Sequence, residues 1–227
     1  MANKNSVALL DFFSRHRILM LLGAILSMII GSPFLDAILH YEVIPDLFIT
    51  LIFILGIYAI SQKRRHVYIA LALAIPMFLG VWSAYILQSF KPVVFGHFSG
   101  TLFIGFVIIL LTNFIFSDKK VTKEVIFAAV VVYLLMAMMW ANAYLILEFY
   151  NPGSFSIPDG QTEHPFQYLY FSFVTITTLG YGDVAPLTLK ASSLVILEAV
   201  TGQIYLVVVV AWLVGMYVSR RSQENDR

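Results

Sequence analysis

The sequence holds no cysteine in 227 residues, which rules out disulfides and leaves the redox compartment unreadable. Charge is nearly as scarce: 12% of residues are charged against 60% hydrophobic, and mean hydropathy is +0.87. A chain of this composition could not keep its apolar surface from aggregating in water, which excludes a soluble globular domain and places it in a bilayer. No histidine or carboxylate cluster has metal-ligand spacing, and no phosphate-cradling glycine loop opens a helix, so an enzyme with a cofactor is not expected. The formal charge of +1 gives no reason for a nucleic-acid partner, and none is expected.

What the sequence does have is a series of charge-free runs, and a helix needs about 20 apolar residues to cross the hydrocarbon. The runs Ile18 to Leu35, Leu47 to Gln62, Val67 to Phe90, Phe98 to Ser117, Val125 to Leu147 and Ala191 to Ser219 predict six spans, the last holding one acid, Glu198. A further apolar stretch, Pro165 to Thr178, is only about 14 residues long, the length of a re-entrant helix. The fold expected is therefore all-α, with six transmembrane helices and one re-entrant helix. Basic residues test the map, because cytoplasmic loops retain them. Lys4, Arg15 and Arg17, then Lys63, Arg64 and Arg65, then Lys119, Lys120 and Lys123, then Arg220, Arg221 and Arg227 fall on one side, leaving Lys91 and Lys190 on the other. A multi-pass protein of the plasma or inner membrane with both termini cytoplasmic follows. A cleaved signal peptide fits poorly, because the first run ends in Ser32-Pro33-Phe34 without a small-x-small site.

Between the fifth and sixth spans the chain reads FQYLYFSFVTITTLGYGDVAPLT. Gly180 and Gly182 permit backbone conformations costly to residues with a side chain, so a helix entering the membrane stops there. Non-helical backbone at membrane depth is tolerated only where it is buried in protein or lines a filled path. A single strand cannot surround an ion, whereas four copies around an axis can replace a hydration shell.

Thr178-Leu179-Gly180-Tyr181-Gly182-Asp183, preceded by Thr177, resembles the selectivity filter of the potassium-channel superfamily, the system that also illustrates the general principle of carbonyl-lined filters. The resemblance implies a homotetramer in membrane lipid, binding permeant K+ through carbonyls of Thr178, Leu179, Gly180 and Tyr181, with Gly182 completing the filter and the Thr178 hydroxyl adding the innermost ring. Tyr181's ring is expected to point away from the axis and brace the strand; Leu179, where valine is commoner, is expected to face protein behind the filter. Thr177 and Asp183 support the filter, Asp183 through hydrogen bonds. Two further departures from the family pattern are Tyr170 and Phe171, where paired tryptophans are frequent, and Val174, where some members keep a glutamate.

In the sixth span, Glu198 is an intramembrane carboxylate, expensive unless partnered. A hydrogen bond to the back of the pore helix, at Thr175 or Thr177, is expected, with tuning of cation density as the other reading. Gly202 stands where similar channels place a hinge; close packing against the fifth span is the alternative. Helical spacing nominates Gln203, Leu206 and Val210 as cavity lining and gate, closing by dewetting. The outer loop carries Asp159 and Glu163, which could concentrate cations, and His164, a candidate pH sensor or a solvated turn residue.

The fourth span has no regularly spaced arginines, so steep voltage dependence has no evident source. Pro76 is expected to kink the third span, and Ser83, Gln88, Thr112 and Asn113 to hydrogen-bond between helices. The domains read from the sequence are a four-helix unit at 1–117, a short cytoplasmic linker at 118–124, a pore domain at 125–219 and a tail at 220–227, each four-helix unit packing beside its own pore segment. The leading reading is a potassium channel conducting passively; a weakly selective cation channel and a membrane sensor or partner subunit with a vestigial pore are the alternatives.

Overall fold

The computed structural model describes residues 4–39, 43–87, 90–117, 121–156 and 165–225. The outer-loop residues Asp159, Glu163 and His164, and Gln88, lie outside the described residues. Seven helices are described: α1 (Lys4–Leu39), α2 (Ile44–Ala59), α3 (Arg64–Leu87), α4 (Phe90–Ser117), α5 (Lys123–Tyr150), α6 (Pro165–Ile176) and α7 (Leu189–Asn225). Two two-residue strands, β1 (Phe155–Ser156) and β2 (Ala185–Pro186), form an antiparallel ribbon.

The apolar runs become helices, with local chemistry setting several boundaries. Thr122 is extended and its hydroxyl accepts the Val125 N–H at 3.3 Å, capping α5, while Glu124 in the first turn complements the helix dipole. Pro45 and Asp46 open α2 for the corresponding reasons. The basic N-terminal arm, expected to precede the first span, is itself helical from Lys4, and the break falls at His16 (φ −112°, ψ 15°), where the membrane-length segment begins. α3 carries Pro76 inside one helix, and Ser99 of α4 donates to the nearby Leu73 carbonyl at 2.6 Å.

Among the described residues five helices are long and apolar enough to cross a membrane, so this is a multi-pass α-helical membrane protein. The second expected span differs: α2 runs 16 residues, about 24 Å at about 1.5 Å per residue, short of a bilayer core of about 30 Å. Six crossings therefore do not follow from helix length alone.

α5 is the centre of the bundle, touching α1, α4, α6 and α7. Val125, Ala128, Val131, Val132 and Leu135 along it are buried. Over their apolar windows α5 is 56% buried and α7 only 17%, so one face of α7 is covered and the rest is left open. The four-helix unit packs on the α5 of its own chain. Ser83 departs from the expected interhelical role, donating instead to Gly80 of its own helix at 2.7 Å.

α3 and α4 lie close together at two glycines, Gly80 and Gly96. A Cβ on Gly96 would meet Gly80 Cα at 3.0 Å and the Met77 carbonyl oxygen at 3.2 Å, both backbone atoms that cannot rotate away. Gly96→Leu is therefore expected to destabilise the peripheral helices by about 1–3 kcal/mol, the cost typical of overpacking. A thermal melt of the purified protein in detergent that leaves the midpoint unchanged contradicts this packing.

Candidate functional site

α6 delivers the chain to the Gly-Tyr-Gly turn and ends at Ile176, two residues earlier than the sequence suggested. Its last carbonyls are taken up by the turn itself. Thr177 N–H donates to Phe173 O at 3.2 Å, Thr178 N–H to Thr175 O at 2.9 Å, and the N–H groups of Leu179 and Gly180 both to Val174 O at 3.0 and 3.2 Å. The Thr177 hydroxyl bonds Phe173 O at 2.6 Å. From α5, Tyr133 Oη donates to the Ile176 carbonyl at 2.9 Å, fixing the end of α6.

Beyond that point the backbone alternates. Thr178, Gly180 and Gly182 have φ of +60°, +57° and +76°, whereas the intervening Leu179 and Tyr181 do not take positive φ. Glycine takes this region without penalty; the threonine adds a third left-handed position that the glycine pattern did not disclose, at a cost of about 1–2 kcal/mol. Alternating handedness lets successive carbonyls turn to one side, and among the described residues no N–H or O–H donates to the carbonyls of Thr178, Leu179, Gly180 or Tyr181.

Leu179 and Tyr181 are 54% and 67% exposed within one chain. The expectation that Leu179 faces protein behind the strand and that Tyr181 braces it is thus not met within this one chain.

Asp183, next along, accepts a hydrogen bond from Tyr170 Oη at 2.8 Å. That bond, with help from the N–H groups of Asp183 and Val184, holds the Asp183 carboxyl below the usual carboxylate range. The exit is then pinned by the β1–β2 ribbon, pairing Phe155 with Pro186 and Ser156 with Ala185. Leu187 N–H donates to Ser154 O at 2.8 Å and Ala185 N–H to Ser156 Oγ at 2.9 Å. Behind the ribbon, the buried Glu148 carboxylate accepts the N–H groups of Gly153, Ser154 and Phe155. Phe155 in turn packs its ring into Tyr144, Tyr168 and Phe171.

Glu198 is fully buried and does meet the back of α6, but at Ser172 rather than Thr175 or Thr177. Its second oxygen accepts from Tyr144 Oη of α5, so one carboxylate joins α5, α6 and α7. The Ser172 hydroxyl also lies 2.7 Å from the Ala137 carbonyl. For Gly202 the contact is with α6 and not the fifth span: a Cβ there would meet Ile176 Cγ1 at 2.5 Å, so the glycine lets α7 lie against the start of the turn, and α7 continues as helix through it. Farther along, Tyr205 Oη donates to Ala129 O at 2.8 Å. Gln203, Leu206 and Val210 project from the uncovered side of α7, with Leu206 37% and Val210 56% exposed.

Sequence reasoning missed Glu148, Tyr144, Tyr133 and Ser172. The tyrosines carried a usable signal, since a hydroxyl inside an apolar span needs a partner. Glu148 sat just past the end of a span and was indistinguishable from a loop acid.

Two outcomes follow from these contacts. Glu198→Leu, which strands the buried Tyr144 hydroxyl and leaves Ser172 only the Ala137 carbonyl, is expected to cost about 1–3 kcal/mol, with Glu198→Gln closer to native; equal detergent-melt midpoints for both variants and the native protein would contradict the three-helix tie. Asp183 is a depressed acid, so its charged tether persists above the ordinary value of 3.8 and is lost as pH falls through the lower folded value. In Tyr170→Phe the midpoint of the Asp183 carboxyl should rise toward 3.8, read by carbon-13 NMR of labelled aspartate; an unmoved midpoint argues against the bond.

Comparison with known proteins bears on this same segment. Residues 120–219 match a family model described as "Ion channel", from just before α5 through most of α7, while the first four helices lie outside the match. No curated protein and no solved structure matches the chain. The match and the TLGYGD sequence fall on one segment, and together they support the likeness of residues 120–219 to the potassium-channel pore-loop superfamily.

Proposed function

We propose that the chain is the subunit of a homotetrameric, potassium-selective channel that conducts K+ passively across the membrane. The observation that carries this reading is the alternation of left-handed Thr178, Gly180 and Gly182 with carbonyls that have no donor among the described residues. Four such strands around an axis give each layer between carbonyl rings about eight oxygens to stand in for the water an ion sheds. An ion stripped of water in a low-dielectric medium otherwise faces a barrier of tens of kcal/mol, so partial coordination is useless. The exposed Leu179, Tyr181 and outer face of α7 then become the surfaces that neighbouring subunits and the water-filled cavity meet.

Six crossings, counting α2, with both termini cytoplasmic match the distribution of lysine and arginine. The division into a peripheral unit at 1–117, a linker at 118–124, a pore domain at 125–219 and a tail at 220–227 belongs to the same proposal. Gln203, Leu206 and Val210 line the cavity in this assembly, and Glu198, Asp183 and Thr177 hold the filter from behind, above and below. α4 from Val93 to Ser117 contains no Lys or Arg, so it offers no charges for the membrane field to move, and conduction is not steeply voltage-dependent.

Purified protein in liposomes is expected to pass potassium in strong preference to sodium, with a shallow voltage dependence. A Cβ on Gly180 meets nothing within 4 Å but sits at φ +57°. Gly180→Ala should therefore perturb the strand conformation itself, and cut potassium flux by about five- to thirtyfold for a strain of about 1–2 kcal/mol. Equal sodium and potassium flux returns the weakly selective channel; no flux from folded tetramers overturns the proposal.

A further inference from the structure

At the end of the bundle where α6 begins, α1 to α6 together enclose a partly open cavity of about 400 Å3, and no residue of the Gly-Tyr-Gly turn lines it. That volume lies within the range of roughly 300–1,000 Å3 for small-molecule sites. The walls are mostly apolar. Met28, Phe53, Met77, Met138 and Leu169 come to them from five different helices, and methionine side chains adapt to irregular partners. Phe53 is held by a stacked contact with Phe103, ring centroids 4.3 Å apart.

Among the polar groups in the wall, Asp46 and Tyr85 are engaged with each other at 2.6 Å. His97 of α4 is held differently. It is half-buried, and its Nδ1 lies 2.9 Å from Asn142 Oδ1 of α5. Asn142 donates an amide N–H to the Met138 carbonyl at 3.2 Å, so its oxygen is the atom that meets the ring. An amide oxygen only accepts, which puts the imidazole proton on Nδ1 and leaves the lone pair of the neutral ring on Nε2. Among the described residues no group donates to Nε2. Ser32, 2% exposed in the α1 wall, likewise makes no side-chain hydrogen bond among the described residues.

A charged head would give up its hydration in this mostly apolar space, whereas a hydroxyl can donate to an imidazole lone pair or accept from a serine. We infer that this cavity binds a small uncharged amphiphile bearing a hydroxyl, its O–H donating to His97 Nε2 and its hydrocarbon body lying among the methionines and Phe53. The inference goes beyond ion conduction and does not rest on it. α6 contributes Leu169 to the wall, so an occupant touches the helix that leads into the Gly-Tyr-Gly turn.

The test uses the full chain in phosphatidylcholine nanodiscs at about pH 8, where an ordinary imidazole is neutral. The probe is a medium-chain alkanol bearing a diazirine, with labelled residues mapped by mass spectrometry. Its competitors are the plain alkanol and the methyl ether of that alkanol, which keeps the oxygen and lacks the donor. Saturable labelling of cavity residues is expected, and both compounds compete for it. His97→Leu should weaken the alkanol about fivefold, the loss expected of one neutral hydrogen bond. The ether should bind that variant as it binds the native protein, which shows that the fold is intact. His97→Gln, whose amide oxygen can stand in for Nε2, should restore the alkanol, and Val93→Phe, placed in the wall, should weaken both compounds. Comparing each compound with itself across variants cancels its partitioning into lipid. Labelling that never saturates, or that falls on the outward-facing Leu51 and Ile54, overturns the assignment. So does an equal effect of His97→Leu on alkanol and ether, or an alkylamine or alkanoate of equal length that competes better than the alkanol. Because labelling needs no ion flux, its failure and a failure to conduct potassium are separate results.

Discussion

A buried carboxylate in the middle of an apolar helix sets the terms for the family-matched part of this molecule. Glu198 is expensive to place inside a membrane and is retained where both of its oxygens find hydroxyls, one on α6 and one on α5. α6 is only 12 residues long, so single contacts weigh heavily in fixing its angle. The bonds from Ser172 to Glu198 and from Tyr133 to the last carbonyl of α6 orient it at both the middle and the end. The close seat of Gly202 under Ile176 adds a steric stop. The alternating backbone at 178–182 begins from a helix end already fixed on three sides.

The far side of the turn is secured by different means. Asp183 is tied to Tyr170, and the chain beyond it is joined to the segment after α5 by a ribbon of two residues per strand. So short a ribbon has little stability by itself. It persists because Glu148 satisfies three consecutive N–H groups in the adjoining loop and Phe155 anchors an aromatic cluster. A backbone that satisfies few of its own carbonyls is thus bracketed by one carboxylate on each side, Glu198 behind and Glu148 above.

Much of this was legible from residue order. Charge-free runs gave the long helices, because hydrophobic length is a property of local sequence. Gly180 and Gly182 marked the end of α6, because only the backbone's tolerance for positive φ was at issue there. Contacts across the fold were harder to read. Glu198 was expected to have a partner, yet whether Ser172 or Thr175 met it depended on the rotation of α6, which sequence does not encode locally. Gly202 likewise could not reveal which helix needed its missing side chain. Thr178 broke the rule outright, since nothing about a threonine announces a left-handed conformation. The helical start of α1 was hidden because its polar residues looked like a tail.

The shortness of α2 carries its own consequence. At 16 residues it presents Leu47, Leu51 and Ile54 outward and ends just before Lys63. In the six-crossing arrangement proposed above, it falls about 6 Å below a hydrocarbon core of about 30 Å, a mismatch relieved by local thinning of the bilayer and by snorkelling of the lysine. The lipid annulus around the molecule is then uneven, pinched on the flank of α2 and relaxed beside the longer helices. Acyl-chain length in the surrounding membrane becomes a mechanical load applied to one side of the bundle.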